Sequence, residues 1–168
     1  MKHKGLSRIW HHLTTPPWRV NSYFTPAGLR NIEATIAETE RTHKGEIRFV
    51  VETCLDVPAL WHKTSAKTRA IDVFSQTHMW DTEHNNGVLI YLLLADRDVE
   101  IVADRGIHQH VGHDGWEAIC KEMEAMFRHG EFEAGVLLGI DKISATLQKH
   151  YPNSGVNKNE LSNKPLIL

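Results

Sequence analysis

Five acidic side chains, Glu46, Asp81, Glu83, Asp104 and Asp114, come from four separate stretches of the chain, and each stands where the sequence pattern breaks or turns. Carboxylates brought together repel unless a cation or hydrogen-bond donors compensate, and oxygen donors of this kind suit a hard divalent ion such as calcium or magnesium. Asn85 and Asn86, in the stretch DTEHNNG, add amide oxygens to the set. The same residues also have plain structural uses. Asp81, Asn85 and Asn86 are turn formers, Gly87 and Gly106 suit positive φ, and Asp114 can cap a helix.

Two other groupings compete with this one. His108, His110 and His113, in GIHQHVGH, suggest an imidazole site for zinc or another transition metal, because strand alternation would put His108 and His110 on one side. Cys54, Asp56, Asp96, Arg97 and Asp98 fall at the opposite ends of the predicted strands, where open α/β sheets usually bind ligands, although the last three also read as a hairpin turn. Phosphomonoester hydrolysis can be assembled on paper from the first grouping. An ion on Asp81 and Asp104 would activate water, His84 or His108 would donate a proton, and Arg105 would clamp the phosphate. No Cys-x₅-Arg or P-loop arrangement accompanies these residues, and the D-x-D of Asp96, Arg97 and Asp98 reads as the hairpin turn.

Strand directions decide whether these residues meet. From Thr25 the pattern is helical, with Thr25 as N-cap, Pro26 at the first position and Leu29, Ile32 and Ile36 on one stripe. This helix is expected to reach about Lys44. EIRFVVETC then alternates as a strand, and a long helix follows from Asp56 to about Trp80. The apolar run Val88 to Ala95 completes a βαβ unit, whose right-handed crossover makes its two strands parallel. A short turn leads into VEIVAD as an antiparallel partner, so the sheet is mixed. A helix capped by Asp114 carries Trp116, Ile119, Cys120, Met123 and Phe127, and a last helix carries Phe132, Val136, Ile140, Ile143 and Leu147, with Gly135 and Gly139 permitting close approach. The order is α-β-α-β-β-α-α. It brings the start of the first strand (Glu46), the start of the second (81–86) and the end of the third (104–106) to one edge of the sheet.

A chain of 168 residues with 41% hydrophobic content supports one domain with one core. The expected division is an N-terminal basic and aromatic arm (1–24), an α/β domain (25–152) and a flexible C-terminal tail (153–168) ending in an apolar clip. Nineteen basic against 21 acidic residues give a net charge of −2, which argues against nucleic acid as a partner. The 12 histidines make a pH-dependent surface conceivable. His3, His11, His12, His43, His62, His129 and His150 are expected in solvated or capping positions. Two cysteines without CxxC spacing read as free, buried thiols in a reduced compartment. No run of about 18 apolar residues occurs, and the N-terminus lacks the apolar segment of a secretory signal. Residues 1–20 pair Lys2, Lys4, Arg8 and Arg19 with Leu6, Ile9, Trp10, Leu13 and Trp18. They suit either peripheral contact with an anionic membrane or a protein partner, or an arm whose tryptophans cover the domain.

Three blocks in order, AETERTHKGEIRFVVE, NNGVLIYLLLADRDVEIVADRGI and MFRHGEFEAGVLLGIDKISATL, resemble the TPM domain, the α/β module of YgcG-like bacterial proteins and of a thylakoid photosystem-repair protein. The resemblance spans about Thr25 to Pro152. It implies a three-layer α/β/α sandwich around a mixed sheet, binding of a divalent cation, calcium in particular, in some members, and an acid phosphatase activity attributed to the family. Matched residue by residue, the family's site falls on Asp81, Asn85, Asn86, Gly87, Asp104 and Gly106. The acid often found two places after that glycine is replaced here by His108. The alternative to hydrolysis is a non-catalytic interaction domain that binds a membrane-protein partner, with the arm before Thr25 and the apolar end of the tail, Leu166 to Leu168, as docking elements. A short cytoplasmic form, peripheral to the inner face of the membrane, is the expected setting.

Overall fold

The computed structural model describes residues 6–155 and 159–168. Helix α1 (Leu6–Leu13), a 3-10 turn (Pro17–Arg19) and the single turn α2 (Val20–Tyr23) precede α3 (Pro26–Thr39). Thr25 begins α3 as its type dictates, its hydroxyl accepting from Gly28 N at 3.0 Å with Pro26 in the first turn. The helix stops at Thr39, short of the expected Lys44. There the Thr39 and Thr42 hydroxyls donate back to the carbonyls of Ile36 and Thr39, competing with the helical ladder.

Strand β1 (Glu46–Glu52) leads to α4 (Val57–Trp61) and α5 (Ala66–Gln76), where one long helix was expected. Each of the two has its own cap. The Asp56 side chain accepts from Ala59 N and that of Ser65 from Thr68 N, while Lys63 takes φ 55° between them. Strands β2 (Gly87–Leu93) and β3 (Asp98–Ala103) then form the hairpin. Helix α6 (Arg105–Arg128) begins about ten residues before the expected start, capped by Asp104 and not by Asp114. Gly112 breaks it internally at φ 71°, ψ 175°, a conformation close to glycine alone. The apolar periodicity past Trp116 reveals only the second half. Helix α7 (Phe132–His150) packs back on α6 through its glycines: a Cβ on Gly135 would stand 2.6 Å from Phe127 and one on Gly139 2.5 Å from Met123.

The four-stranded sheet has the order β3-β2-β1-β4, with β1 parallel to β2 and to β4 (Leu166–Ile167), and β3 antiparallel to β2. It is the central layer of an α/β/α sandwich. Ile47, Phe49 and Val51 with Val88, Ile90 and Leu92 face α3, α6 and α7, where Ile32, Ile36, Met123, Phe127 and Ile140 complete one core. Val50, Leu89, Tyr91 and Leu93 face α4 and α5, against Leu60, Ala70 and Val73. Period-two alternation in the strands and period-3.6 stripes in the helices account for both cores.

The C-terminal stretch corrects the expectation of a flexible tail. Glu160 N and Leu161 N donate to the buried Glu46 carboxylate, Arg48 donates to Ser162 O, and Asn163 Nδ2 donates to Glu40 at 2.7 Å. Leu168 N reaches Val51 O, closing the added strand. A polar, turn-rich composition looks unstructured when its partners, carboxylates more than a hundred residues away, are not visible.

The arm also departs from expectation. It packs through Ile9, Arg8 and His12, while Trp10 and Trp18 stay 71% and 66% exposed and do not cover the domain. His12 and His43 are buried, not solvated, at 1% and 0% exposure. His3 lies outside the described residues. Cys120 is buried and Cys54 half-buried, both as free thiols. Among the described residues no helix is long and apolar enough to cross a membrane.

Candidate functional site

The three polar connections do meet. Glu46 is level with Gly87 in the parallel pair, and Asp104 N donates to Gly87 O at 2.9 Å, so the starts of β1 and β2 and the end of β3 share one edge. The loop from Asp81 to Asn86 is fixed there by its own short side chains. Asn86 N donates to Thr82 Oγ1 at 3.1 Å, and Asn86 Nδ2 donates to Lys44 O at 3.0 Å. Asn85 sits at φ 52°, the left-handed conformation that asparagine tolerates.

Gly87 and Gly106, expected at positive φ, are needed for close approach instead. A Cβ on Gly87 would lie 2.1 Å from Met79 O, and one on Gly106 would lie 2.5 Å from Asn85 O, 2.7 Å from His84 O and 2.9 Å from Tyr151 Oη. Three oxygens thus converge on the bare Cα of Gly106, beside the N-cap Asp104.

Two more oxygens of this edge are buried without a hydrogen-bond partner, Asn86 Oδ1 and Asp104 Oδ2. Asn86 has its amide nitrogen committed to Lys44 O, which fixes the oxygen on the other side. Asp104 commits Oδ1 to Arg105 N at 2.7 Å. Leaving a buried acceptor unmatched costs about 1–3 kcal/mol, so a pair of them on one edge calls for a cation or a donor. Tyr151 borders the same space: burial and then the Asp104 charge push its phenol above the ordinary range.

The other expected residues divide. Asp81 and Glu83 are exposed on the loop, and His84 lies beside Glu83 at 4.0 Å and stacks on Tyr151 at a ring separation of 6.4 Å. Glu46 is at the edge, but its carboxylate is already engaged by Glu160 N and Leu161 N. Burial raises its pKa and those bonds oppose the rise. Asp114 is exposed beyond the Gly112 break, and Arg105 is exposed in the first turn of α6. His108 and His110 lie on that helix, not on a strand, so two residues turn them about 200° apart and the shared side is lost. His110 stacks instead on His150, with centroids 4.4 Å apart. Among the described residues no group of three or more His, Cys, Asp and Glu side chains is placed to hold a metal, so any cation here would draw on amide and main-chain oxygens as well.

At the opposite edge the residues have structural work. Asp96 accepts from Arg8 Nε at 2.9 Å and pairs with His12 Nε2 at 3.1 Å. Burial opposes its ionisation, but the bonds from His12 and Arg8 prevail and hold it down at about 2. Asp56 is a cap, Arg97 is a left-handed turn residue at φ 50°, and burial together with the Glu52 charge pushes the Cys54 thiol up. Sequence reasoning missed Tyr151, Thr82 and Glu40. Thr82 could have been found, as a hydroxyl four residues before a turn asparagine; Tyr151 and Glu40 carry no local signal.

The family model described as the TPM domain matches residues 20–146. The chain belongs to the TPM domain family. A solved relative is the BA42 protein of the psychrophilic bacterium Bizionia argentinensis, 30% identical over 86% of this chain and 95% of that one, with a TM-score of 0.76. The N-terminal domain of a P. gingivalis protein shares the fold at 15% identity, covering 84% of this chain and 95% of that one with a TM-score of 0.62. No curated protein matches the chain.

Proposed function

We propose that this TPM domain is a non-catalytic interaction module that takes up a divalent cation, calcium before magnesium or zinc, and acts with a membrane-bound protein partner in maintaining the envelope or its membrane proteins. The observation that carries the reading is the pair of buried, unmatched oxygens, Asn86 Oδ1 and Asp104 Oδ2, on one sheet edge. Asn86 and Asp104 would hold the ion, and Asp81 could join them from the exposed loop. Hard oxygen donors of mixed charge suit calcium, which accepts irregular shells, better than magnesium, which demands near-octahedral geometry.

The partner side of the reading rests on the arm. Trp10, Leu13 and Trp18 are 71%, 60% and 66% exposed, an arrangement that suits docking to a protein or to the headgroup region at the cytoplasmic face of a membrane.

The test is a thermal melt with calcium, magnesium and zinc. At about 100 times its dissociation constant a ligand of the folded state adds about 2.7 kcal/mol, or a rise of roughly 5–10 °C for a domain of this size. Calcium is expected to give that rise in the native chain and little of it in Asp104→Asn, which keeps a capping oxygen. No shift with any of the ions at millimolar concentration sinks the cation part of the reading. Co-sedimentation with anionic vesicles that is unchanged in Trp10→Ala/Trp18→Ala removes the arm from membrane docking.

A further inference from the structure

Five of the nine large apolar side chains exposed among the described residues gather at one end of the sheet. Helix α1 lies alongside α4 and runs the opposite way: Leu55 N, just before α4, donates to His12 Nδ1 at 3.0 Å, and Arg8 Nη2 donates to Thr64 O, just after α4, at 2.9 Å. Ile9 and Leu60 anchor the two helices in the same core. Trp10 and Leu13 of α1 stay outside it, as do Val57 and Trp61 of α4, at 59% and 79% exposure. Leu168, whose carbonyl accepts from Thr53 N, is the fifth. All lie beyond the C-terminal ends of β1 and β2, where Asp96 of the hairpin turn holds Arg8 and His12. The candidate cation edge is at the other end of the strands, about 20 Å away at about 3.3 Å per residue along β1.

Charge and shape narrow what can cover this end. Residues 1–24 carry Lys2, Lys4, Arg8 and Arg19 and no acid, in a chain whose net charge is −2. Arg8 is spent on Asp96, and the hollow beside it sets Arg8, Lys63, Lys67 and Arg97 against four carboxylates, so no net charge comes from that side. The surplus belongs to the arm. Lys4 stands two residues before Leu6, the start of α1, so chain length alone keeps its backbone within about 7 Å of the helix. None of the five apolar side chains lines either of the two hollows, of about 450 and 400 Å³, so they stand as tips and wall neither. Tryptophan tips beside lysines match the lipid–water interface, which takes amphipathic rings singly and draws basic residues to acidic headgroups, whereas a folded partner needs a shaped surface.

We propose that the composite face of α1 and α4 docks on an anionic lipid bilayer, with Trp10 and Trp61 seated at headgroup depth and Lys2 and Lys4 on acidic phospholipids. The inference rests on the docking role of the arm and adds α4 to it. It also fixes an orientation: the C-terminal ends of β1 and β2 stand on the membrane, and the edge of Asn86 and Asp104 is turned away. At about 20 Å that edge lies about two Debye lengths from the headgroups, so attachment does not call for calcium.

The test is co-sedimentation of the full chain with vesicles of mixed phosphatidylglycerol and phosphatidylcholine, and with vesicles of phosphatidylcholine alone, each in calcium and in EDTA. Binding is expected to the anionic vesicles only, and equally in the two media. Trp61→Ser and Trp10→Ser are each expected to weaken it about tenfold, a change of about 1.4 kcal/mol. Trp80→Ser, at an exposed residue beside the Asp81 loop at the other end, is expected to leave it unaltered. All three sites are exposed, and an unchanged melting profile shows that each variant folds. Loss of binding in Trp10→Ser but not in Trp61→Ser overturns the composite face and leaves the docking role of the arm standing. No binding to anionic vesicles overturns lipid as the occupant in favour of a protein. Equal binding to neutral vesicles overturns the role of the lysines, and binding that requires calcium overturns the orientation.

Discussion

Glu40 makes the stability of this TPM domain fall as pH rises through neutrality. Its side chain is 6% exposed, accepts from Ile47 N at 2.9 Å through Oε1 and from Asn163 Nδ2 at 2.7 Å through Oε2, and so ties the end of α3 to β1 and to the C-terminal strap. Burial raises its pKa from 4.5 to about 8, against the lowering effect of the Ile47 bond. The folded state therefore holds a proton that the unfolded chain has released, and stability is greatest below 4.5 and is lost as pH climbs through 8, at about 1.4 kcal/mol per unit. His43 works in the opposite sense. Burial depresses it from 6.5 to about 4, so its contribution is present above 6.5 and is lost as pH falls. Between 4.5 and 6.5 the two slopes cancel, with Glu46, raised like Glu40, tilting the balance downward. From 6.5 to 8 Glu40 acts unopposed and removes about 2 kcal/mol, a substantial share of a total of about 5–15 kcal/mol. Urea unfolding followed by tryptophan fluorescence at pH 5.5, 6.5 and 8 reads this directly. Glu40→Gln, which keeps the acceptor for Ile47 N but cannot ionise, is expected to flatten the fall. A native chain equally stable at 6.5 and 8, or a Gln variant that loses as much as the native one, refutes the reasoning.

Other changes have equally definite signs. Gly106→Ala is expected to cost about 1–2 kcal/mol, because its Cβ meets two carbonyls that cannot swing aside and helix propensity returns only part of the loss; unaltered urea stability would mean the approach is looser than described. Gly112→Ala has open space around it but a φ of 71°, so the cost is conformational, about 1–3 kcal/mol, and should appear without any change in calcium response. Asp96→Ala strips Arg8 and buried His12 of their shared carboxylate and is expected to lower stability by about 3 kcal/mol, read in the same urea assay at pH 7.

Much of the fold was legible because its signals are local. Thr25 and Pro26, the alternation from Glu46 to Glu52, and the turn expected after Ala95 each announce their structure within a few residues, and strand direction then follows from the handedness of the crossover. The convergence of Asn86 and Asp104 was legible for that reason. Illegible features depend on partners distant in sequence. Nothing near Glu40 or Glu46 shows that their carboxylates will receive amides from residues 160–163, so the strap looked like a free tail. Gly112 hid the first half of α6, since a break at one glycine shifts the apolar phase and the pattern starts afresh at Trp116. The glycines at 87 and 106 were read correctly as required and wrongly as to why: torsion and steric access leave the same letter in the sequence.

The tie between Asn86 and Lys44 O bears on how the protein ages. Asn86 precedes Gly87, the pairing in which a backbone nitrogen most easily attacks the side-chain amide and converts asparagine to aspartate through a succinimide. In the fold, the Asn86 amide donates to a carbonyl at 3.0 Å and Gly87 is held in the sheet, so the attack is geometrically barred. Each excursion to the unfolded chain lifts that bar, and the aspartate left behind would bring a second negative charge beside Asp104, making slow chemical conversion at this bond a cumulative record of unfolding.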